Sequence, residues 1–237
     1  MGSHLLGMPN FSFASDHSLL VTFGNEITQE VHRDVVRLSR LLLEESTQEI
    51  LNIHPAYSSV LITFDPRITS PSKFEGHIRR LMKNMDSIEI PQSQSVEIPV
   101  CYEGDFAPDL EDVAHYNSLS KADVVRLHSS TTYIVYFLGF TPGFPYLGGM
   151  PKEITMPRRP TPRRLVHAGS VAIGGHQTGV YPVSSPGGWQ IIGRTPRRLF
   201  NPEGRHPTLL QMGDHVRFVP ISREKYETLN AQRNGSD

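Results

Sequence analysis

The hydrophobic positions up to residue 90 repeat partly every second residue, as in a strand, and partly with the period of a helix. In chain order they predict a strand at 19–23, a first helix, strands at 49–53 and 59–64, a second helix and a strand near 88–90. The first helix has the apolar stripe Val31, Val35, Leu38 and Leu42. The second begins at Pro71 after Ser70 and buries Phe74, Ile78, Leu81 and Met82. The order β-α-β-β-α-β is that of the split βαβ, or ferredoxin-like, arrangement. We therefore expect this part of the chain to form a small α/β domain.

A polar stretch at 91–95 has no hydrophobic period and indicates a domain boundary. The chain of 237 residues also exceeds one domain of ordinary length, about 100 to 200 residues. We therefore expect an N-terminal α/β domain at 9–92 and a second domain at 95–225, in a chain of the α+β class.

The second domain begins with a period-two strand at 96–100. Two short helices are predicted next, one near 109–116 and one from Ser120, whose partner Asp123 gives a start like a capping box. Short β-rich runs separated by Gly and Pro follow at 133–137, 170–173, 179–181, 190–192 and 215–219. Strands of this length with frequent turns indicate a barrel or a sandwich.

Composition is that of an ordinary soluble globular protein, with 38% hydrophobic and 20% charged residues. No apolar run approaches the roughly 20 residues that cross a bilayer, and no charged-then-apolar leader opens the chain. The single cysteine, Cys101, excludes an internal disulfide and a cysteine metal cluster. These features indicate a cytoplasmic protein with no metal site of its own.

The net charge of −1 gives no reason to expect binding to nucleic acid or to a membrane, but the charge is unevenly distributed. Residues 157–205 contain eight arginines and one acid, Glu203, a local balance of plus seven. The arginines are Arg158, Arg159, Arg163, Arg164, Arg194, Arg197, Arg198 and Arg205. This segment favours an anionic ligand.

Four common motifs do not occur in the sequence: the P-loop, the dinucleotide-binding glycine motif, the H-E-x-x-H zinc helix and the G-x-S-x-G nucleophile turn. If the protein uses ATP, either a partner binds it or the site is of another kind. Four glycine-rich segments remain, at 139–149, 168–175, 177–182 and 185–189. Glycine loops bring backbone N–H groups close to an anion, but they also make tight turns between strands, and each segment taken alone favours the turn.

In this order, and followed by Ile-Gly-Arg-Thr-Pro at 192–196, these segments resemble the family that contains the B-type subunit of 5-oxoprolinase, allophanate hydrolase subunit 1 and the kinase inhibitor KipI. The resemblance extends from about residue 16 to residue 221. It implies a cyclophilin-like β-barrel for the second domain, preceded by a small α/β domain. One departure is His167, which stands where the family leads us to expect proline and either retunes the site or replaces a turn residue.

The resemblance also implies a function. The chain would be the small subunit of an ATP-dependent hydrolase that opens the lactam of 5-oxoproline to glutamate. Its partner would be a companion subunit similar to allophanate hydrolase subunit 2 or to the C-type subunit of 5-oxoprolinase, with a lactam-utilisation protein as a candidate third component. ATP with Mg²⁺ would bind with the partner or in an unusual site, and phosphorylation of the carbonyl oxygen would overcome amide resonance.

Two alternative functions share the same motifs. One is inhibition of a sensor histidine kinase, as by KipI. The other is carboxyl transfer with carboxybiotin, as in urea carboxylase and allophanate metabolism. The sequence does not separate these functions from lactam hydrolysis, because the family has its motifs in common across all three.

Arginines are the first candidates for catalysis. Arg158 and Arg163 lie in a proline-rich segment that limits their conformations, and a guanidinium binds carboxylate or phosphate through two parallel bonds. We assign catalytic roles to these two and to Arg194, with a solvated or partner-facing basic rim as the alternative. For Arg159 and Arg164 the rim is favoured.

His128 is a further catalytic candidate, as a general base, although it ends a predicted helix that an imidazolium would stabilise. Trp189, the only tryptophan, either lines a pocket or fills the core. The predicted substrate-binding residues are Tyr146, Gly174, Gly175, His176, Gln177, Tyr181, Gly187, Gly188 and Trp189. We expect them to converge with the arginines on one cleft.

Overall fold

The structure is a computed structural model that describes residues 8–45, 47–90 and 92–234. The chain divides into two compact units between residues 92 and 93. None of the helices in the described ranges combines the length and the apolar character needed to span a membrane.

The first unit is a four-stranded antiparallel sheet with two helices. Its elements are β1 (Asn10–Ser15), β2 (Ser18–Thr22), α1 (Gln29–Glu45), β3 (Ile50–Pro55), β4 (Ser59–Phe64) and α2 (Pro71–Leu81), followed by a 3-10 helix at Met82–Ser87. The strand order is β1-β2-β4-β3. Because β2 and β3 are both antiparallel to β4, they are parallel to each other and form a split βαβ unit with α1. The predicted apolar faces point inward, since Val35, Leu38, Leu42, Phe74 and Ile78 are at most 1% exposed.

The element order of this unit differs from the prediction at both ends. The unit begins with a β1–β2 hairpin, and residues 88–90, where a last strand was predicted, have no regular structure. β1 pairs along the edge of β2 that the last strand of a ferredoxin-like sheet would use, so that edge is already occupied. The observed order is β-β-α-β-β-α. β1 gave no sequence signal because five of its six residues are exposed and no buried side chains alternate along it.

Within residues 93–234 the second unit contains nine strands. They are β5 (Ser95–Val100), β6 (Thr132–Leu138), β7 (Pro145–Gly148), β8 (Arg163–Val166), β9 (Ser170–Gly174), β10 (Gln177–Val180), β11 (Ser185–Gly187), β12 (Gln190–Arg194) and β13 (His215–Pro220). Seven of them form one sheet in the order β12-β9-β10-β7-β6-β13-β5, while β8 and β11 form a separate two-stranded ribbon. The short strands β7, β8 and β11 were not predicted, because they lie in segments rich in Gly, Pro and Arg.

The seven-stranded sheet curls until its two end strands meet. Cys101, directly after β5, pairs with Arg194, the last residue of β12, through two backbone hydrogen bonds of 2.9 Å each. The interior is filled by apolar side chains such as Val135, Leu147 and Phe218, all fully buried. The result is a nearly closed barrel in an α+β chain, which confirms the predicted fold class.

Three α-helices of the described residues accompany the barrel: α3 (Leu110–Tyr116), α4 (Lys121–Ser130) and α5 (Arg223–Asn234). α4 begins with the predicted capping box, in which Ser120 Oγ accepts the Asp123 N–H at 3.1 Å and the Asp123 carboxylate accepts the Ser120 N–H at 3.4 Å. This reciprocal pair satisfies backbone donors that a helix start otherwise leaves free. α3 and α4 thus start where the sequence predicted two short helices.

Candidate functional site

A second apolar cluster, separate from the barrel core, is built around Phe144. Its ring lies 5.1 Å from the ring of Tyr146, 5.2 Å from Tyr181, 5.5 Å from Trp189 and 5.8 Å from Phe140, measured between centroids. Most of these pairs are T-shaped, an arrangement that aromatic rings favour. The rings come from strand ends: Phe144 and Tyr146 lie at the start of β7, Tyr181 follows β10 and Trp189 precedes β12.

The same rings line a cleft of about 290 Å³, which we call the aromatic cleft. Its lining is Phe140, Phe144, Tyr146, Arg158, Arg159, Pro162, Tyr181, Pro186, Gly187, Gly188 and Trp189. Six of the predicted site residues meet here, namely Tyr146, Arg158, Tyr181, Gly187, Gly188 and Trp189. An apolar wall with a few polar groups is the usual composition of a site for a small organic ligand.

Arg158 is the exposed cation of the aromatic cleft. Its Cζ lies 5.6 Å from the centroid of the Trp189 ring, within cation–π distance. The backbone on both sides of it is anchored, because Arg159 N–H donates to Gly188 O at 2.7 Å and Gln190 Nε2 donates to Pro157 O at 2.9 Å. Within the described ranges no carboxylate pairs with Arg158, so its guanidinium is available to an anion.

Two tyrosine hydroxyls add neutral polar groups to the aromatic cleft. Burial raises the pKa of Tyr146, and the nearby charge of Arg158 partly opposes the rise. Burial likewise raises the pKa of Tyr181, opposed by a hydrogen bond with the Trp189 backbone and by Arg158. Both phenols are therefore protonated at neutral pH and can donate hydrogen bonds. The backbone of Gly187 lies so close to Tyr181 that a Cβ added at Gly187 would be 2.3 Å from the Tyr181 hydroxyl oxygen. Only glycine therefore fits at this position.

Asp109, which the sequence analysis did not single out, fixes the strands around the aromatic cleft. It precedes α3 and is 2% exposed. Its Oδ2 accepts the Ile191 N–H at 2.6 Å, and its Oδ1 accepts Arg163 Nη2 at 2.6 Å and Arg159 Nη1 at 3.4 Å. Its own N–H donates to Ile191 O at 2.9 Å. Arg163, predicted as a catalytic residue, is thus committed to a buried carboxylate and does not line the cleft.

Four other predicted residues form the β9–β10 hairpin instead of the cleft wall. Gly174 pairs with Gln177, and Gly175, at φ +66°, makes the two-residue turn with the exposed His176. Gly174 lies against the Trp189 ring, where an added Cβ would come within 2.5 Å of a ring atom. Gly174 therefore positions Trp189, and the other three residues close a tight turn.

Arg194 does not line the cleft either; it ends β12 at the barrel closure. Its Cζ lies 5.6 Å from the centroid of the Phe106 ring. Its buried Nε has no hydrogen-bond partner among the described residues. The predicted convergence of Arg163, Gln177 and Arg194 with the cleft residues is not observed.

His128, the predicted general base, is fully buried in the barrel core. Thr178 Oγ1 donates to Ala172 O at 3.0 Å, so it must accept the hydrogen of His128 Nε2 at 2.9 Å. The ring nitrogen Nδ1 is then free to accept the Tyr102 hydroxyl at 2.8 Å. Desolvation lowers the pKa of His128 to about 3, so the ring is neutral. These contacts make His128 a polar core residue, away from the aromatic cleft.

A larger groove of about 810 Å³ lies between α3 and α4 but lacks the features of an anion site. Its two cations are both paired: Lys121 Nζ lies 2.6 Å from Glu111 and Arg126 Nη2 lies 3.0 Å from Asp123. None of the predicted site residues lines it. The aromatic cleft is therefore the better candidate, although it is smaller.

Residues 9–210 match the protein family described as "Carboxyltransferase domain, subdomain C and D". The chain is also 43% identical over 232 residues to the B-type subunit of 5-oxoprolinase from Bacillus subtilis (strain 168), a match that covers 92% of this chain and 95% of that protein. It therefore belongs to the carboxyltransferase-domain family and, within it, to the group of B-type 5-oxoprolinase subunits. The resemblance seen in the glycine-rich segments is confirmed.

Two solved structures share the fold. The crystal structure of TTHA0988 superposes with a TM-score of 0.75 at 36% identity, over 88% of this chain and 40% of that one. The K. lactis urea amidolyase superposes with a TM-score of 0.75 at 23% identity, over 96% of this chain and 16% of that one. The chain thus spans less than half the length of either protein, and the second likeness shows the fold alone.

The neutral state of His128 predicts a pH dependence of stability. Because its folded pKa of about 3 lies below its ordinary value of 6.5, the unfolded chain binds this proton first as the pH falls. The stability that the neutral ring contributes is complete above about pH 6.5 and is lost towards pH 3, by up to ~1.4 kcal/mol per pH unit. His128→Gln should remove this component from urea denaturation curves measured between about pH 6.5 and pH 4. The exposed His176→Gln control should keep the wild-type slope, and an unchanged slope in His128→Gln would contradict this explanation.

The Asp109 contacts predict a large stability loss on neutralisation. Asp109→Asn keeps the shape but removes the charge that Arg163 and Arg159 share, and breaking a buried ion pair costs about 3 kcal/mol or more. Asp112→Asn, an exposed position in α3, is the matched control and should stay within about 0.5 kcal/mol of wild type. Chemical denaturation measures both. Equal stabilities for the two variants would show that Asp109 does not hold these elements together.

Proposed function

We propose that this chain is the small subunit of an ATP-dependent lactam hydrolase that opens 5-oxoproline to glutamate. The observation that carries the proposal is the aromatic cleft, with the guanidinium of Arg158 beside Trp189, in a chain 43% identical to a protein named as a 5-oxoprolinase subunit. The family relationship supplies the reaction. The cleft supplies a place for the substrate.

The chemistry of 5-oxoproline fits the groups of the aromatic cleft. The substrate is a five-membered ring with one carboxylate and one amide. Arg158 would bind the carboxylate through a charge-assisted pair, and the protonated Tyr146 and Tyr181 would donate hydrogen bonds to the lactam carbonyl oxygen. The faces of Trp189 and Phe144 would pack on the ring carbons. In this arrangement the chain holds the lactam and polarises its carbonyl group.

The aromatic cleft does not fit ATP. Arg158 is its one lining cation outside the Asp109 cluster, whereas a triphosphate needs several donors and a metal ion. In the described part of the chain no group of three or more His, Cys, Asp and Glu residues is arranged to hold a metal. We therefore assign ATP and Mg²⁺ to the companion protein, and no step of the proposed mechanism on this chain uses them.

A small subunit of this kind needs its partner, which leads to a prediction on assembly. The purified chain should open 5-oxoproline no faster than buffer, because the groups that activate the lactam carbonyl are divided between two proteins. Co-expression with a companion of the C-type 5-oxoprolinase subunits, and with the third lactam-utilisation protein where needed, should restore ATP-dependent glutamate release. Glutamate formation is measured by chromatography. Full turnover by the isolated chain would overturn this division between two proteins.

Arg158 gives a prediction on the substrate. Loss of one charge-assisted contact costs about 1.5 to 3 kcal/mol, or roughly 10- to 100-fold in kcat/KM. Arg158→Ala should reduce the kcat/KM for 5-oxoproline by this factor in the assembled enzyme, with an unchanged melting temperature. Arg164→Ala is the matched control, since Arg164 is an exposed arginine of the same segment outside the cleft lining. Equal activities of the two variants would place the substrate elsewhere.

Carboxyl transfer is the second candidate function. It is favoured by the family description, which names a carboxyltransferase domain. The same assembled complex separates the two functions, because lactam hydrolysis forms glutamate from 5-oxoproline, whereas carboxyl transfer consumes carboxybiotin and leaves 5-oxoproline intact.

A further inference from the structure

Phe140 stands at the mouth of the aromatic cleft with most of its ring in solvent. Its side chain is among the large exposed apolar groups, with 63% of its surface accessible. The ring nevertheless meets two cleft rings edge to face, at centroid distances of 5.8 Å to Phe144 and 6.5 Å to Tyr181. Phe140 is thus one wall of the cleft.

The backbone at Phe140 is in a conformation that disfavours this residue. Its φ is +68°, and Thr141 N–H donates to Gly139 O at 2.8 Å, two residues back. A three-residue turn closed in this way with positive φ is the rare and strained kind of γ-turn. Glycine and asparagine adopt positive φ readily, whereas a bulky side chain there is an outlier.

The surrounding loop holds this turn in place. Gly139 N–H donates to Phe144 O at 3.1 Å, and Phe144 N–H donates to Thr141 O at 3.0 Å. Gly143, at φ +79°, completes the loop. A strained residue persists when its neighbours fix it in this way, and such residues concentrate where a ligand is held.

Packing does not account for the choice of phenylalanine at this position. A ring that is mostly exposed gains little from burial, and glycine would relieve the backbone. We infer that Phe140 contacts the ligand, with its ring covering the lactam in the aromatic cleft. This assignment rests on the proposed function and adds a substrate-binding residue to it.

The experiment compares stability with substrate use in the assembled enzyme. Phe140→Gly and Phe140→Asn suit the positive φ and remove the ring, while Phe140→Tyr keeps the ring. The first two should melt at the wild-type temperature or above, yet raise the KM for 5-oxoproline roughly 3- to 10-fold, the factor expected for one lost aromatic contact. Phe140→Tyr should keep the wild-type KM.

Ser118 offers a matched control. It is the other described non-glycine residue with positive φ, at +57°, and it lies shortly after α3, outside the cleft lining. Ser118→Gly should relieve its backbone in the same way, with no change in the KM for 5-oxoproline. If the relief of backbone strain alone changed the KM, the change would appear in Ser118→Gly as well as in Phe140→Gly.

Four results would overturn the assignment. A lower melting temperature with unchanged KM for Phe140→Gly and Phe140→Asn would make Phe140 structural. An unchanged KM with weakened binding of the companion protein would make it an interface residue. A wild-type complex that leaves 5-oxoproline intact would overturn the proposed function together with this assignment, whereas an active wild type with unaffected variants overturns the assignment alone.

Discussion

The arrangement of the barrel and its cleft depends on one buried carboxylate. Asp109 exchanges two hydrogen bonds with the backbone of Ile191 in β12 and binds Arg163 in β8, so a single residue fixes the start of a helix, a barrel strand and the separate ribbon. A buried carboxylate is costly without such partners, which leaves little freedom in how these elements meet. Trp189 lies two residues before Ile191, and Gly187 pairs with Arg163 across the ribbon. The positions of the walls of the aromatic cleft therefore depend on Asp109.

The hydrophobic period predicted the elements that have one buried face. It missed the others because it reports only side chains that are buried at regular spacing. α1, α2 and the longer barrel strands each show buried side chains at regular spacing, so their existence was readable. β1 exposes nearly all its side chains and is held by backbone hydrogen bonds to β2. Because backbone hydrogen bonds do not depend on the side chain, they leave no pattern in the sequence. The predicted strand at 88–90 failed because β1 already occupies the sheet edge. The barrel itself came from resemblance to a family, since period alone left a sandwich open.

The candidate site could be predicted only in part. Residue type and loop composition predicted Tyr146, Arg158, Tyr181 and Trp189 as site residues. They did not show which arginine is paired with a buried acid. Asp109 precedes a helix, where an aspartate ordinarily signals only a cap, so its pairing with a residue 54 positions away left no local trace. His128 is the reverse case: a titratable residue that suggested catalysis is a neutral member of a core hydrogen-bond chain. Phe140 and Phe144, two large apolar residues between glycines, were not predicted as site residues, although their position in a glycine-rich loop could have indicated them.

The join between β5 and β12 has a further consequence. β5 is held to β13 along six paired residues, but across the gap to β12 it is held by the single pair of Cys101 and Arg194. The seven-stranded sheet is thus closed by one backbone residue pair, and beyond that pair the segment after β5 is bonded to β12 through Asp109. The only thiol of the chain sits at this point, fully buried, with its pKa raised by burial. Because a buried thiol reacts only when its surroundings open, the rate at which a thiol reagent labels Cys101 measures how often the pairing of Cys101 with Arg194 opens.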